Sequence, residues 1–187
     1  DHMGDLWIGT DYGLGRYQRS LNTMTVYRPV EKDTTSISYY AVTSLFEDSK
    51  NRLWIGTEGG GLNLYNREKN TFSNLRERNG LASDVIWCIL EDGKGNLWLS
   101  STRGLTRFNP DTRQISNYNA SDGLQSNEFI RGACCKTGDG RMYFGGVNGI
   151  NEFHPDSIRD NPYIPKVLIT SIELFNEAVE VGEEING

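Results

Sequence analysis

Only two histidines and three cysteines occur among the 187 residues, and no two cysteines form a C-x-x-C pair. A histidine-centred acid–base pair or triad therefore has little to work with, and a zinc or redox motif is disfavoured. Basic blocks are missing, and the formal net charge is −6. A nucleic-acid surface needs a basic stripe to displace counterions, so no nucleic-acid partner is expected. No apolar run approaches the roughly 20 residues that cross a bilayer as a helix, and no secretory leader is visible. No stretch sustains a helical period. The glycine-rich Gly59-Gly60-Gly61 lacks the lysine and following helix of a phosphate loop. No cofactor or metal is implied. What the chain does have is 21 glycines and 11% aromatic residues, many of them within short β-like runs. That composition suits one ordered domain, or one domain plus part of another.

The runs repeat. Leu6-Trp7-Ile8-Gly9-Thr10, Leu53-Trp54-Ile55-Gly56-Thr57, Leu97-Trp98-Leu99-Ser100-Ser101 and Met142-Tyr143-Phe144-Gly145-Gly146 align, with anchor aromatics 47, 44 and 45 residues apart. Each anchor is followed by a glycine and an aliphatic residue (Gly13-Leu14, Gly61-Leu62, Gly104-Leu105, Gly149-Ile150), then by Tyr17, Tyr65, Phe108 or Phe153. Three copies continue to Met24, Phe72 or Ile115 and on to Tyr27, Leu75 or Tyr118. Leu45, Ile89 and Cys134 stand nine residues before their anchors. A period near 45 residues suits a four-stranded propeller blade.

In the second copy the strands are expected at residues 41–47, 52–56, 62–66 and 71–76, bounded by turn residues such as Asp48-Ser49-Lys50-Asn51. Glycine before the aliphatic residue permits a tight positive-φ turn between the second and third strands. One such sheet cannot bury both faces, so neighbours must stack about an axis. The fold expected is all-β: three to four blades of four antiparallel strands at residues 1–164, forming a partial propeller.

Asp1 precedes Trp7 by six residues, as Asp48 precedes Trp54 and Asp92 precedes Trp98. The repeat is thus in phase from the first residue, and the first blade is expected to lack its innermost strand. The fourth copy fails at its last strand, where Asp160 and Tyr163 occupy apolar positions and Pro162 and Pro165 intervene. Residues 166–175 (KVLITSIELF) alternate afresh as the first strand of a second β-domain at 165–187.

Glu91-Asp92 through Gly95-Asn96-Leu97-Trp98 resembles the two-component regulator propeller repeat. So do Leu-Trp-Ile-Gly-Thr followed by Gly-Leu, and the linkers Asn79-Gly80-Leu81 and Asp122-Gly123-Leu124. Residues 165–176 resemble the opening of the tyrosine-rich, immunoglobulin-like domain that follows this propeller in the family. The resemblance implies a periplasmic, membrane-anchored sensor region of a hybrid two-component histidine kinase. It further implies an oligosaccharide ligand and homodimeric signalling by the full-length protein. The fragment itself is then not an enzyme. Two alternatives stay open: a propeller enzyme of the streptogramin-lyase type, and a propeller serving only protein interactions.

His154 fills a hairpin turn that asparagine fills in other copies, which favours a turn role. Cys88, Cys134 and Cys135 fall at small or apolar inner-strand positions and read as core, a bridge from Cys88 to the next blade being the alternative. Recurrence of Glu47-Asp48 and Glu91-Asp92 at one turn favours local backbone bonding over catalysis. Ligand contacts are expected in the loops before the first strand and after the second of each blade: 79–84, 121–128, 58–60, 102–103 and 147–148. Trp87, Arg103, Asn127, Glu128, Arg131 and Asn148 offer the aromatic and planar hydrogen-bonding groups that suit a sugar. Arg131 aligns with Val42 and Ile86, which puts a charge at an apolar repeat position in need of a partner.

Overall fold

A computed structural model describes residues 1–159 and two short strands at Glu173–Leu174 and Glu177–Ala178. The first sheet holds β1 (Leu6–Thr10), β2 (Gly13–Gln18) and β3 (Thr23–Tyr27). The second holds β4 (Val42–Glu47), β5 (Leu53–Thr57), β6 (Leu62–Asn66) and β7 (Thr71–Leu75). The third holds β8 (Ile86–Glu91), β9 (Leu97–Ser101), β10 (Gly104–Phe108) and β11 (Ile115–Tyr118). The fourth holds β12 (Phe129–Lys136), β13 (Met142–Gly146) and β14 (Gly149–Phe153). Each is an antiparallel meander in chain order, the sheet of a propeller blade. The two short strands, β15 and β16, pair with each other. The remainder of the expected strand at 166–175, and the failed last strand of the fourth copy, lie outside the described residues.

The blades stack through three apolar clusters. Leu14 and the linker residue Ile37 pack with Val42, Leu53, Ile55, Tyr65 and Phe72 between blades one and two. Trp54, Leu62 and Leu75 meet Ile86, Ile89, Leu97 and Leu99 between blades two and three. Trp98 and Leu105 meet Phe129, Met142 and Phe144 between blades three and four. Residues alternate along each strand, so one face of a blade packs backward and the other forward. Each fully buried aliphatic or aromatic side chain contributes about 1.5–3 kcal/mol.

The Gly-Leu pairs are explained by the turn. Gly61 and Gly104 have φ of +74° and +109°, and a Cβ at either would strike the carbonyl of Leu75 or Tyr118 on the next strand. Only glycine combines that dihedral with that approach.

Register departs from expectation at one place. Val42 pairs with Thr57 and Ile86 with Ser101, and in blade four the equivalent Gly146 pairs with Phe129, not Arg131. Phe129 is buried like Val42 and Ile86. Regular pairing resumes at Cys134 opposite Phe144. Blades two and three insert one bulged residue here, Thr43 or Trp87, whereas blade four inserts three. Arg131 therefore sits in an enlarged bulge and not at the apolar repeat position. The apolar alternation survives a two-residue slip, so alignment on the anchor aromatics alone conceals the insertion.

The cysteines also differ from a wholly apolar reading. Cys88 and Cys134 form a disulfide between the inner strands of blades three and four. Cys135 is free and exposed. Its counterparts Phe46 and Leu90 are covered by the following blade, and no described residue covers that face of blade four.

Candidate functional site

The recurrent acids are consumed by the architecture. Asp48 Oδ1 accepts from the backbone N–H groups of Lys50 and Arg52, and its Oδ2 accepts from Trp54 Nε1 and Arg52 Nε. Asp92 repeats the pattern with Lys94, Asn96 and Trp98. Asp1 accepts from Trp7 Nε1 at 2.7 Å. The neighbouring glutamates bind backward to the preceding blade: Glu91 accepts from Ser49 N and Oγ, and Glu47 from His2 N, while Arg67 of its own blade also donates to Glu47. Burial opposes ionisation of Asp48 and Asp92, but bonds from Trp54 and Arg52, and from Asn96 and Trp98, outweigh it and hold both below the ordinary aspartate value. His154 Nδ1 accepts from Asp156 N at 3.3 Å and caps a short 3₁₀ turn, the turn role expected of it.

The opposite ends of the strands carry the repeat-breaking loops. Two matching linkers pass through 3₁₀ turns, Glu77–Asn79 and Ala120–Asp122, closed by Gly80 and Gly123 with positive φ. Asn127 Oδ1 accepts from Ala120 N at 2.7 Å, just as Asp84 Oδ1 accepts from Glu77 N. Asn127 is thus a brace of its own linker. Asn148 is held by Gln125, whose Oε1 accepts the Asn148 N–H at 2.7 Å. Arg103 pairs with Glu77 at 3.0 Å on an exposed rim. Trp87 is half-buried in the bulge of β8 and packs against the cluster between blades three and four. The Glu128 side chain is exposed, and its backbone carbonyl accepts from Val147 N.

Arg131 reaches furthest. From the bulge of β12 its Nη2 donates to the Val42 carbonyl at 3.2 Å on the inner strand of blade two. Its Nη1 lies 3.4 Å from Asp11 in the β1–β2 turn of blade one. The residue so links three blades at one end of the stack. In the chain these partners are flanked by Tyr12, Tyr39 and Tyr40, exposed by 79%, 41% and 51%. Tyr12 follows Asp11, and Tyr39-Tyr40 enters β4 two residues before Val42. Tyr39 also lies over Gly59 of the β5–β6 turn, where a Cβ would come within 3.2 Å of its ring. The six residues expected from sequence thus split: Arg131 joins this cluster, while Arg103, Asn127 and Asn148 are engaged elsewhere along the loops. The tyrosines were missed because Tyr39 and Tyr40 precede a strand start and Tyr12 lies in a turn. Their placement in the loop classes already singled out was the available signal.

A groove of about 470 Å³ at the outer rim runs between β3, the 28–37 linker and β7. Its polar groups are largely bonded among themselves, with Thr35 donating to Asp33 and Tyr27 to Asn70. Among the described residues no cluster of three or more His, Cys, Asp or Glu is placed to hold a metal.

The two-component regulator propeller model matches residues 36–59 and 80–103. The chain is 35% identical over 186 residues to Histidine kinase P4 of Formosa agariphila, covering 97% of this chain. The repeats at residues 36–59 and 80–103 are thus similar to those of the two-component regulator propeller family. Both matched segments start at a linker and run through inner strand, aspartate turn and anchor-tryptophan strand to the next loop, which is the part of the repeat that carries the Asp–Trp bond. The propeller fold is shared with solved structures. The extracellular domain of a protein from B. thetaiotaomicron assigned as a one-component system superposes with a TM-score of 0.71 at 22% identity, over 84% of this chain and 23% of that one. The extracellular domain of a hybrid two-component system from the same organism gives 0.50 at 23% identity, over 98% and 32%. A virginiamycin B lyase from Staphylococcus aureus gives 0.55 at 15% identity, over 84% and 54%. The chain spans 13% of the length of the Formosa kinase.

Proposed function

We propose that this propeller segment belongs to the extracytoplasmic sensing region of a membrane-anchored hybrid two-component histidine kinase. Its ligand is an oligosaccharide, held at the loop end by Tyr12, Tyr39, Tyr40 and Arg131. The carrying observation is a guanidinium that links blades one, two and four, with exposed Tyr12 next in sequence to its partner Asp11 and exposed Tyr39 and Tyr40 just before its partner Val42. Sugar rings present apolar C–H faces and hydroxyl edges. Aromatic faces and planar donors are the groups that meet them. The Cys88–Cys134 bridge supports an oxidising compartment. Because Arg131 touches two other blades, a ligand that recruits its guanidinium would alter how those blades are tied. That is a route by which binding reaches the rest of a homodimeric receptor.

Calorimetric titration of the chain against neutral and acidic oligosaccharide libraries tests the reading. A specific oligosaccharide should give saturable heat. Replacing Tyr39 and Tyr40 by alanine should weaken it by about tenfold or more, the effect of losing one to two aromatic contacts. Silence across the libraries, or binding indifferent to Tyr39→Ala, Tyr40→Ala and Arg131→Ala, rejects it.

A further inference from the structure

The strand β12 differs from the inner strands β4 and β8 in two ways, and both meet at one residue. It carries a three-residue insertion between Phe129 and Cys134, and Cys134 is bonded to Cys88 of blade three. We infer that this bridge is a redox-sensitive latch on the bulge that presents Arg131. Oxidised, it keeps the guanidinium on the Val42 carbonyl and beside Asp11. Reduced, it frees the bulge and the arginine with it.

The neighbouring interface shows what the bond replaces. Cys88 faces Ser100 as Ser44 faces Gly56, and Cys134 faces Phe144 as Ile89 faces Leu99. The matching pair between blades two and three is therefore Ser44 and Ile89. Ile89 is 5% exposed and holds its strand by packing in the cluster with Trp54 and Leu62. Cys134 offers less apolar surface at the same register position, so a covalent bond does there what burial does in blade three.

The bulges differ in the same sense. In blades two and three the single bulged residue is held by its own side chain: Thr43 Oγ1 donates to the Ile86 carbonyl, and Trp87 packs against the cluster between blades three and four. In blade four, residues 130–133 fall outside the ladder. Gly132 has φ of +73°, and a Cβ on it would meet nothing within 4 Å. The segment is fastened at its ends, by buried Phe129 and by Cys134. Releasing one end restores conformational freedom to the residues between. The rest of the strand keeps its ties, since Cys135 and Lys136 pair with Tyr143 and Met142 and Lys136 Nζ donates to the Glu91 carbonyl at 2.6 Å. Cutting the bond therefore loosens the bulge without undoing the blade.

The reductant is a dithiol. Its thiolate attacks one bridge sulfur and forms a mixed disulfide, and the other cysteine leaves as a thiolate that takes up a proton. The second thiol of the reductant then displaces the first cysteine and closes its own disulfide. Two electrons and two protons pass to Cys88 and Cys134. An effect of the latch on sugar affinity rests on the reading of Arg131 as a ligand contact, and the test below needs no ligand.

Trypsin cuts after arginine, so cleavage between Arg131 and Gly132 reports the bulge directly. The 187-residue chain is digested briefly under native conditions, oxidised and after reduction by a phosphine that is removed first, and the products are read by mass spectrometry. Cleavage at Arg131 should be about tenfold or more faster in the reduced chain and in Cys88→Ser, while cleavage at Arg52 and Arg107 in blades two and three stays unchanged. Arg131→Ala should lower the Tm of the oxidised chain by about 2–4 °C and leave that of Cys88→Ser where it is, because the arginine is tied only while the latch is closed. Equal cleavage at Arg131 in all samples, a rise spread over every blade, or an Arg131→Ala shift of the same size in both backgrounds overturns the inference. Silence in the sugar titrations with the cleavage contrast intact rejects the ligand and supports the latch.

Discussion

Trp54 Nε1 donates to Asp48 Oδ2 across 2.8 Å, and Trp98 repeats the bond to Asp92 at 3.0 Å. Both acceptors are buried, and the Asp48 side chain is wholly covered. An aspartate six residues before each tryptophan thus organises a turn and satisfies an indole N–H inside a blade interface. Replacing Asp48 by alanine strands that N–H and two backbone N–H groups, and leaves the Arg52 guanidinium with Asp111 as its remaining carboxylate partner. The expected loss is about 3 kcal/mol, the range for orphaned buried donors and broken buried ion pairs. Urea denaturation of Asp48→Ala beside wild type measures it. A loss below about 0.5 kcal/mol would mean the turn holds without its carboxylate.

Acid should act through the same groups. The carboxyls of Asp48, Asp92 and Glu47 are held below their ordinary values: burial raises each, and hydrogen bonds and cations more than compensate. For Glu47 those partners are His2 and Arg67. A group with a depressed native value binds its proton more readily when unfolded. Its contribution is fully present above about pH 4 and is lost as pH falls through the native value. Thermal melts between pH 7 and pH 3 should show Tm flat at first and then falling below about pH 4. The Asp48→Asn variant should show a shallower acid fall.

Reduction tests the interblade bridge. Cys88 and Cys134 are 46 residues apart, and closing a loop of that length stabilises by about 4 kcal/mol in the chain-entropy account. Melting with and without a phosphine reductant should separate by several degrees, and Cys88→Ser should behave like the reduced wild type. Alkylation of the native oxidised chain followed by mass spectrometry should find one modified thiol, Cys135.

The enlarged bulge makes a paired prediction. Phe129 is 2% exposed and its neighbour Ile130 is 49% exposed. Phe129→Ala should cost about 3–5 kcal/mol as a core truncation, while Ile130→Ala should stay within about 0.5 kcal/mol. Equal costs would return blade four to the one-residue bulge of its neighbours.

Much of the fold was legible. The strands expected at 41–47, 52–56, 62–66 and 71–76 lie within one residue of β4 to β7 at every boundary. Turn chemistry and period-two alternation are local, so they are written within each copy. The slip at Phe129 was not read, although the linkers contained it: Leu81 precedes Ile86 by five residues and Leu124 precedes Phe129 by five. Counting forward from the linker gives the observed register; counting back from the anchor does not. The Cys88–Cys134 bridge was weighed only as an alternative, because the two residues occupy neighbouring positions of one repeat template. Whether their side chains meet depends on the angle between blades.

The sequence by itself determined the blade unit, its strand order and the glycines its turns require, since each follows from dihedral freedom and alternation over a few residues. Only the tertiary structure decided that Arg131 leaves the strand to meet Asp11 and Val42. Those contacts join residues up to 120 positions apart. They arise from the way blades pack about an axis and from how long one bulge is. Neither quantity leaves a periodic mark on the chain.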